Sequence, residues 1–334
     1  MAVDVIMLVA SLGLILLSCV IFVNAVELFG KRLNLHQGIV GSILAAVGTA
    51  LPETIIPIIA IIFTKGENAH AIGIGAIAGA PFMLGTLAFF VTGTAVIVNR
   101  LLGRRTLEMP VAHSCISRDL LFFLAFYGIA VATTFVHNIP GVKWVVALGL
   151  AASYALYLKK TVQGQCEEIE HVEPLYLSRF FRAPTNMFWI TVQLAAGLAL
   201  IIFSAHLFIN YVELLSAALG VAPLILSLII TPIATELPEK FNSVIWIGRK
   251  KDTLALGNIT GAMVFQSCFP VAFGILFTEW DLRGATMVSA VCALSMAAIA
   301  LVWLRLRKSL NPFLLLAGGA FYAVFLLQVF GVFG

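Results

Sequence analysis

The sequence predicts an all-α membrane protein of ten transmembrane helices, arranged as two inverted five-helix repeats. Three observations predict it. Hydrophobic residues fill 61% of the 334 positions and charged residues only 11%, where a soluble domain carries about 25% charged residues. The apolar residues fall into ten runs, each near the ~20 residues that a helix needs to cross a bilayer. A short acidic segment also occurs twice, at one fixed offset.

The runs are residues 4–29, 37–63, 70–99, 119–136, 142–158, 187–210, 221–247, 254–278, 284–304 and 312–332. The first is a span and not a cleavable leader. Asp4 stands where a signal peptide needs basic residues, and the run from Val5 to Val26 is longer than a signal core. The domain organisation follows: residues 1–158 form the first repeat, 159–186 a cytoplasmic linker, and 187–334 the second repeat.

Loop charge sets the orientation. Of the 20 Lys and Arg residues, 16 fall in loops on one side, among them Arg100, Arg104, Arg105, Lys159, Lys160, Arg249 and Lys250. The other side holds only Lys65, Lys143 and Arg283. The basic side is cytoplasmic, so both termini lie outside. The net charge of +4 is a product of this topology and gives no reason to expect nucleic-acid binding. With five spans per half, the second half enters the membrane from the opposite side. Inverted repeats of this kind are a common plan of secondary transporters, with the substrate site at the repeat interface.

The repeat itself is explicit. Val23-Asn24-Ala25-Val26-Glu27-Leu28 returns as Ile209-Asn210-Tyr211-Val212-Glu213-Leu214, and Thr49-Ala50-Leu51-Pro52-Glu53 returns as Thr235-Glu236-Leu237-Pro238-Glu239. Glu53 and Glu239 each fall near the middle of an apolar run, and an acid at that depth marks a functional site. Pro52, Pro57, Pro232 and Pro238 each free the carbonyl four residues earlier. Two carboxylates and several carbonyls at one depth form a hard oxygen cage that suits Ca²⁺. Without an ion the two charges repel and one takes up a proton, so the site couples to Ca²⁺, Na⁺ or H⁺. The next run of each half carries Gly75-Ala76-Ile77-Ala78-Gly79-Ala80 and Gly257-Asn258-Ile259-Thr260-Gly261-Ala262. Small residues at this spacing let helix backbones approach. Asn258 and Gln266 add polar chemistry.

These segments resemble the alpha-repeats of the cation/calcium exchanger superfamily, whose best-known branch is the sodium/calcium exchangers. The family pattern is Gly-Thr-Ser-x-Pro-Glu on one helix and Gly-Asn-x-x-Gly-Ser-Asn on the next. The resemblance implies antiport of Ca²⁺ against Na⁺ or H⁺ by alternating access. It implies Glu53 and Glu239 as ion-binding glutamates, Thr49 and Thr235 as oxygen ligands beside them, and Asn258 as the asparagine after the glycine. Several positions depart from the pattern. The family serines are Ala50, Glu236, Ala80 and Ala262, the next asparagine is Pro81 or Met263, and the closing polar residue is Leu84 or Gln266. Oxygen ligands for Na⁺ are thus missing, while Glu236 adds a third carboxylate as proton carrier or Ca²⁺ ligand. The candidate cation ligands are therefore Glu53, Glu239, Thr49, Thr235, Glu236, Asn258 and Gln266.

The remaining features read as structural. The cysteines Cys19, Cys115, Cys166, Cys268 and Cys292 are scattered, which suggests neither disulfides nor a zinc site. Glu167, Glu168, Glu170, His171 and Glu173 lack the spacing of a calcium-binding loop and suit a solvated linker. Glu27 and Glu213, near span ends, fit an interfacial cap or an ion pathway, and His206 fits a packed, hydrogen-bonded residue. No motif of an intramembrane enzyme is present. The expected protein is not an enzyme, carries no cofactor and has the lipid bilayer and inorganic cations as its partners, in the cell membrane. A cation channel or a non-transporting membrane scaffold is the alternative.

Overall fold

The computed structural model describes residues 2–32, 51–64, 66–163, 174–182 and 184–331. Among them the regular structure is helical, apart from one isolated antiparallel bridge between Met109 and Leu310. The helices are α1 Ala2–Arg32, α2 Leu51–Ile58, α3 Glu67–Met83, α4 Phe89–Leu101, α5 His113–Thr133, α6 Val142–Gln163 and α7 Tyr176–Phe181. They continue with α8 Met187–Leu219, α9 Pro223–Gly248, α10 Asp252–Gln266, α11 Phe269–Phe277, α12 Ala285–Arg307 and α13 Pro312–Val329. Among the described residues eight stretches are long and apolar enough to cross a membrane, and they coincide with eight of the ten expected runs. Two shorter apolar helices, Glu53–Phe63 and Pro223–Ile233, lie in the second and seventh runs. Residues 37–50 of the second run, with Thr49, lie outside the described residues.

Proline explains where the helices start and where they deform. Pro223, Pro270 and Pro312 stand in first turns, where a missing amide hydrogen leaves no bond unmade. Asn186 and Asn311 cap α8 and α13, accepting from the amides of Trp189 (3.1 Å) and Phe313 (2.9 Å). Inside helices, Pro57 and Pro81 are each followed by a turn of π-helix, Ile59–Phe63 and Leu84–Ala88. The second half solves the same problem differently. There α10 stops at Gln266, and α11 restarts after Cys268, whose backbone sits at φ −105, ψ −77.

Helices pack through glycine. A Cβ at Gly75 would lie 2.4 Å from Leu224 O, and one at Gly79 would lie 2.3 Å from Leu228 O, so α3 and α9 touch backbone to backbone. Gly318 on α13 sits likewise on Thr86 O, 2.2 Å from such a Cβ. The α1–α8 pair shares a small apolar core with Ile56, Ile59 and Ile72, while a larger core joins α3 to α6 with α9 to α13.

Two polar ties join segments far apart in the sequence. Arg105, counted above as a loop charge, is buried and bidentate to Asp252 (2.7 and 2.8 Å), and also donates to Ile247 O and Glu108 O. It clamps the α4–α5 connection onto the start of α10. In the second tie, Gln193 Nε2 donates to Asn24 Oδ1 and Ile21 O, both 2.9 Å, while its Oε1 accepts from Leu177 N. This fixes α7 to α1 and α8. One expectation fails. Cys115 is disulfide-bonded, while Cys268 and Cys292 are free. Spacing gives no sign of this bond, because a lone cysteine carries no signature of its partner.

Candidate cation site

Four of the expected residues are deeply buried. Glu53 lies on α2 and is 2% exposed. Thr235 and Glu236 lie on α9, at 2% and 1%, and Gln266 ends α10 at 2%. A carboxylate in such surroundings needs compensation by charge or hydrogen bonds, or it costs several kcal/mol, by order of magnitude.

Helix register shows how these residues align. A Cβ at Gly73 would touch Ile61, in the π-turn that continues α2, and since α3 begins at Glu67, four residues after that turn, the two segments pack side by side and antiparallel. Counting eight residues back from Ile61 and eight on from Gly73 brings Glu53 to the level of Pro81. Because Gly75 and Gly79 on α3 meet Leu224 and Pro232 on α9, those helices run parallel. Glu236, four residues beyond Pro232, reaches the level of Met83. On the other side, Gly274 of α11 faces Ile77, and eight residues back along the broken helix Gln266 reaches the level of Gly85. The packing of α10 on the π-turn Leu84–Ala88 agrees with that register. Glu53, Glu236 and Gln266 therefore share a layer about 6 Å deep, taking 1.5 Å of rise per residue.

The layer is otherwise apolar on the α3 side, where Ala80, Pro81 and Leu84 are buried. Gln266 Oε1 is buried without a hydrogen-bond partner among the described residues. Thr235 Oγ1 donates to Thr231 O at 3.0 Å, and its lone pairs stay available to an ion. Glu239 is one turn beyond Glu236 on α9, and its side chain lies outside the described residues. Asn258 does not join the layer. It is half-buried and stands two turns, about 12 Å, along α10 from Gln266. The carbonyl freed by Pro232, Leu228 O, abuts Gly79, so helix contact occupies it.

The family model described as sodium/calcium exchanger protein matches residues 3–159 and 189–334. The chain belongs to that family. Among curated relatives it is similar to an uncharacterized membrane protein of Methanocaldococcus jannaschii, 25% identical over 293 residues, 85% of this chain and 88% of that one. Among solved structures it is similar to the H⁺/Ca²⁺ exchanger CAX, with a TM-score of 0.71 at 14% identity over 98% of this chain and 82% of that one. It is also similar to the sodium-calcium exchanger NCX_Mj, with a TM-score of 0.56 at 20% identity over 97% of both chains. At these identities the two structures speak for the fold.

In this exchanger-family chain, sequence reasoning missed one buried acid near the layer. Asp119 on α5 is 4% exposed. It accepts from Thr260 Oγ1 on α10 (2.9 Å) and from Tyr157 Oη on α6 (3.2 Å), with Arg118 Nη2 at 3.4 Å. Asp119 opens the fourth apolar run and so reads as a boundary residue. Its partners lie 38 and 141 positions away, and no local pattern announces them. Glu213, for its part, faces an open cavity of about 310 Å³ together with Asn210. The side chain of Glu27 lies outside the described residues, and His206 Nδ1 pairs with Ile202 O at 2.9 Å.

Proposed function

We propose that this exchanger-family protein is a secondary active transporter that moves Ca²⁺, or a closely related cation, across the cell membrane in exchange for H⁺ or Na⁺. In this reading the chain forms ten spans as two inverted five-helix repeats, residues 1–158 and 187–334, with both termini outside. The site is exposed to one side and then the other. The observation that carries the reading is the common layer of Glu53, Glu236 and Gln266 deep in the helix bundle. Two carboxylates and neutral oxygens at one level suit a divalent cation that takes six to eight oxygens. Thr235 supplies a further oxygen, and Thr49 and Glu239 complete the set. Asn258, two turns nearer the cytoplasmic end, belongs to the approach to that layer.

The residues favour H⁺ over Na⁺ as the coupling ion. Na⁺ needs neutral oxygens, and the α3 side offers Ala80, Pro81 and Leu84 in their place. Glu236 instead adds a carboxylate that can carry a proton when the divalent ion leaves. Both couplings occur within the fold, since the two solved relatives are an H⁺/Ca²⁺ and a sodium-calcium exchanger.

The test is Ca²⁺ uptake into proteoliposomes under an imposed pH gradient, and separately under a Na⁺ gradient. Uphill accumulation under the pH gradient is expected. Accumulation under the Na⁺ gradient alone reverses the choice of coupling ion. Downhill flux alone makes the protein a channel, and no flux from folded protein makes it a scaffold.

A further inference from the structure

We infer that Asp119 is a positioning residue for the cation site, holding α10 from behind in the rotational setting that presents Gln266 at the level of Glu53 and Glu236. The inference rests on the transport reading above. It starts from a gap in the packing. On α3, Gly75 and Gly79 are locked against the backbone of α9. On α10, the matching Gly257 and Gly261 are less tightly packed, since a Cβ would find Ile116 Cδ1 at 4.0 Å and Tyr157 Oη at 3.7 Å, ordinary contact distances. Interlocked backbones therefore do not fix the rotation of α10. The helix also ends at the break after Gln266.

Side chains replace the missing lock. Thr260 sends its hydroxyl across to Asp119 Oδ2 at 2.9 Å, where a helical threonine would otherwise bond its own preceding turn. Tyr157 donates to Asp119 Oδ1, and Arg118 approaches the same oxygen. Arg118 also lies over the Tyr157 ring, 5.7 Å from its centroid, and donates to Lys160 O. Tyr154 meets Phe265, the neighbour of Gln266, edge-on at 5.6 Å. Two helices, α5 and α6, thus hold α10, at Thr260 and at Phe265. Thr260 and Gln266 are six residues apart, which is about 240° around the helix and about 9 Å along it. The grip is behind the helix and Gln266 is in front. The device is confined to this half, because Ala78 occupies the position on α3 that Thr260 occupies on α10.

The test uses the full chain in proteoliposomes. Asp119→Asn and Thr260→Val are each expected to raise the Ca²⁺ concentration for half-maximal uptake about tenfold, the scale of one lost hydrogen bond to a charged group. The maximal rate should stay within about twofold, as expected when binding and not the transport step is altered. The double variant should be no worse than the worse single variant, since both remove one interaction. Thr260→Ser should restore the wild-type value. A second readout does not depend on transport. With the five native cysteines replaced, a Gln266→Cys side chain should react with a small cationic thiol reagent at a rate that Asp119→Asn changes about tenfold. If wild-type protein accumulates no Ca²⁺, the transport reading falls and the labelling rate alone decides the positioning claim. Unchanged half-saturation in a transporting protein, additive effects in the double variant, or an unchanged labelling rate overturns it. So does a loss of folded protein with normal half-saturation in what remains.

Discussion

Helix α3 with its continuation α4, and helix α10 with α11, descend from matching sequence but are built differently. The first stays continuous through Pro81 by taking up a π-turn at Leu84–Ala88, and its glycines lie flush on α9. The second breaks after Gln266, and its glycines face side chains at ordinary distances. Polar residues follow the same division. The first carries Ala76, Ala78 and Leu84 where the second carries Asn258, Thr260 and Gln266. The lesson is that a duplicated unit can keep its backbone plan while one copy becomes packing and the other chemistry. Tight backbone contact leaves no room for polar side chains, and a looser helix needs polar side chains to hold it.

The largest effect is expected where the two helices are joined. Arg105 follows α4 and Asp252 begins α10, and both are buried. Arg105→Leu leaves the Asp252 carboxylate uncompensated and is expected to cost about 3–5 kcal/mol, as for other broken buried pairs. Thermal unfolding in detergent measures it. An exposed, dispensable contact would instead show a change within the noise of the melt.

The glycines give the next contrast. Gly79→Ala pushes a methyl group into Leu228 O and is expected to destabilise by about 1–3 kcal/mol. Gly261→Ala meets only Tyr157 Oη at contact distance and should fall within about 0.5 kcal/mol of wild type, helped by the better helix propensity of alanine. Equal losses at both positions, read from the same melts, would erase the distinction between the two helices.

A smaller, functional effect separates Gln266 from Leu84. Gln266→Leu is expected to raise the Ca²⁺ concentration for half-maximal uptake about tenfold, by loss of a polar contact to a charged ligand. Leu84→Met keeps an apolar filler and should change it less than about twofold. A shift of similar size at both positions would mean that the two helices contribute alike.

Much of the architecture was legible in the sequence, and for a physical reason. A bilayer demands long apolar runs, and among the described residues eight of the ten expected runs hold a helical stretch of crossing length, one of them broken after Gln266. Burial of Glu53, Glu236 and Gln266 was legible too, because polar residues deep in apolar runs have few other roles. The depth of Asn258 could have been counted from helical rise, and it separates that residue from Gln266. What could not be read is pairing over distance. Arg105 and Asp252 are 147 positions apart, and Asp119 and Thr260 are 141 apart. Arg105, Asp252 and Asp119 sit at or just beyond the edges of apolar runs, where a charge reads as a solvated boundary. The bond at Cys115 escaped for the same reason, since a scattered cysteine carries no sign of its partner.

The central claim is that one buried layer containing Glu53 binds the transported cation. The most direct measurement is the initial rate of gradient-driven Ca²⁺ uptake by Glu53→Gln in proteoliposomes, with folding verified by gel filtration. Removing one charge from a site for a divalent ion takes away a large part of its Coulomb attraction. Uptake by the folded variant is therefore expected to fall to the level of empty vesicles, whereas uptake at the wild-type rate would contradict the account.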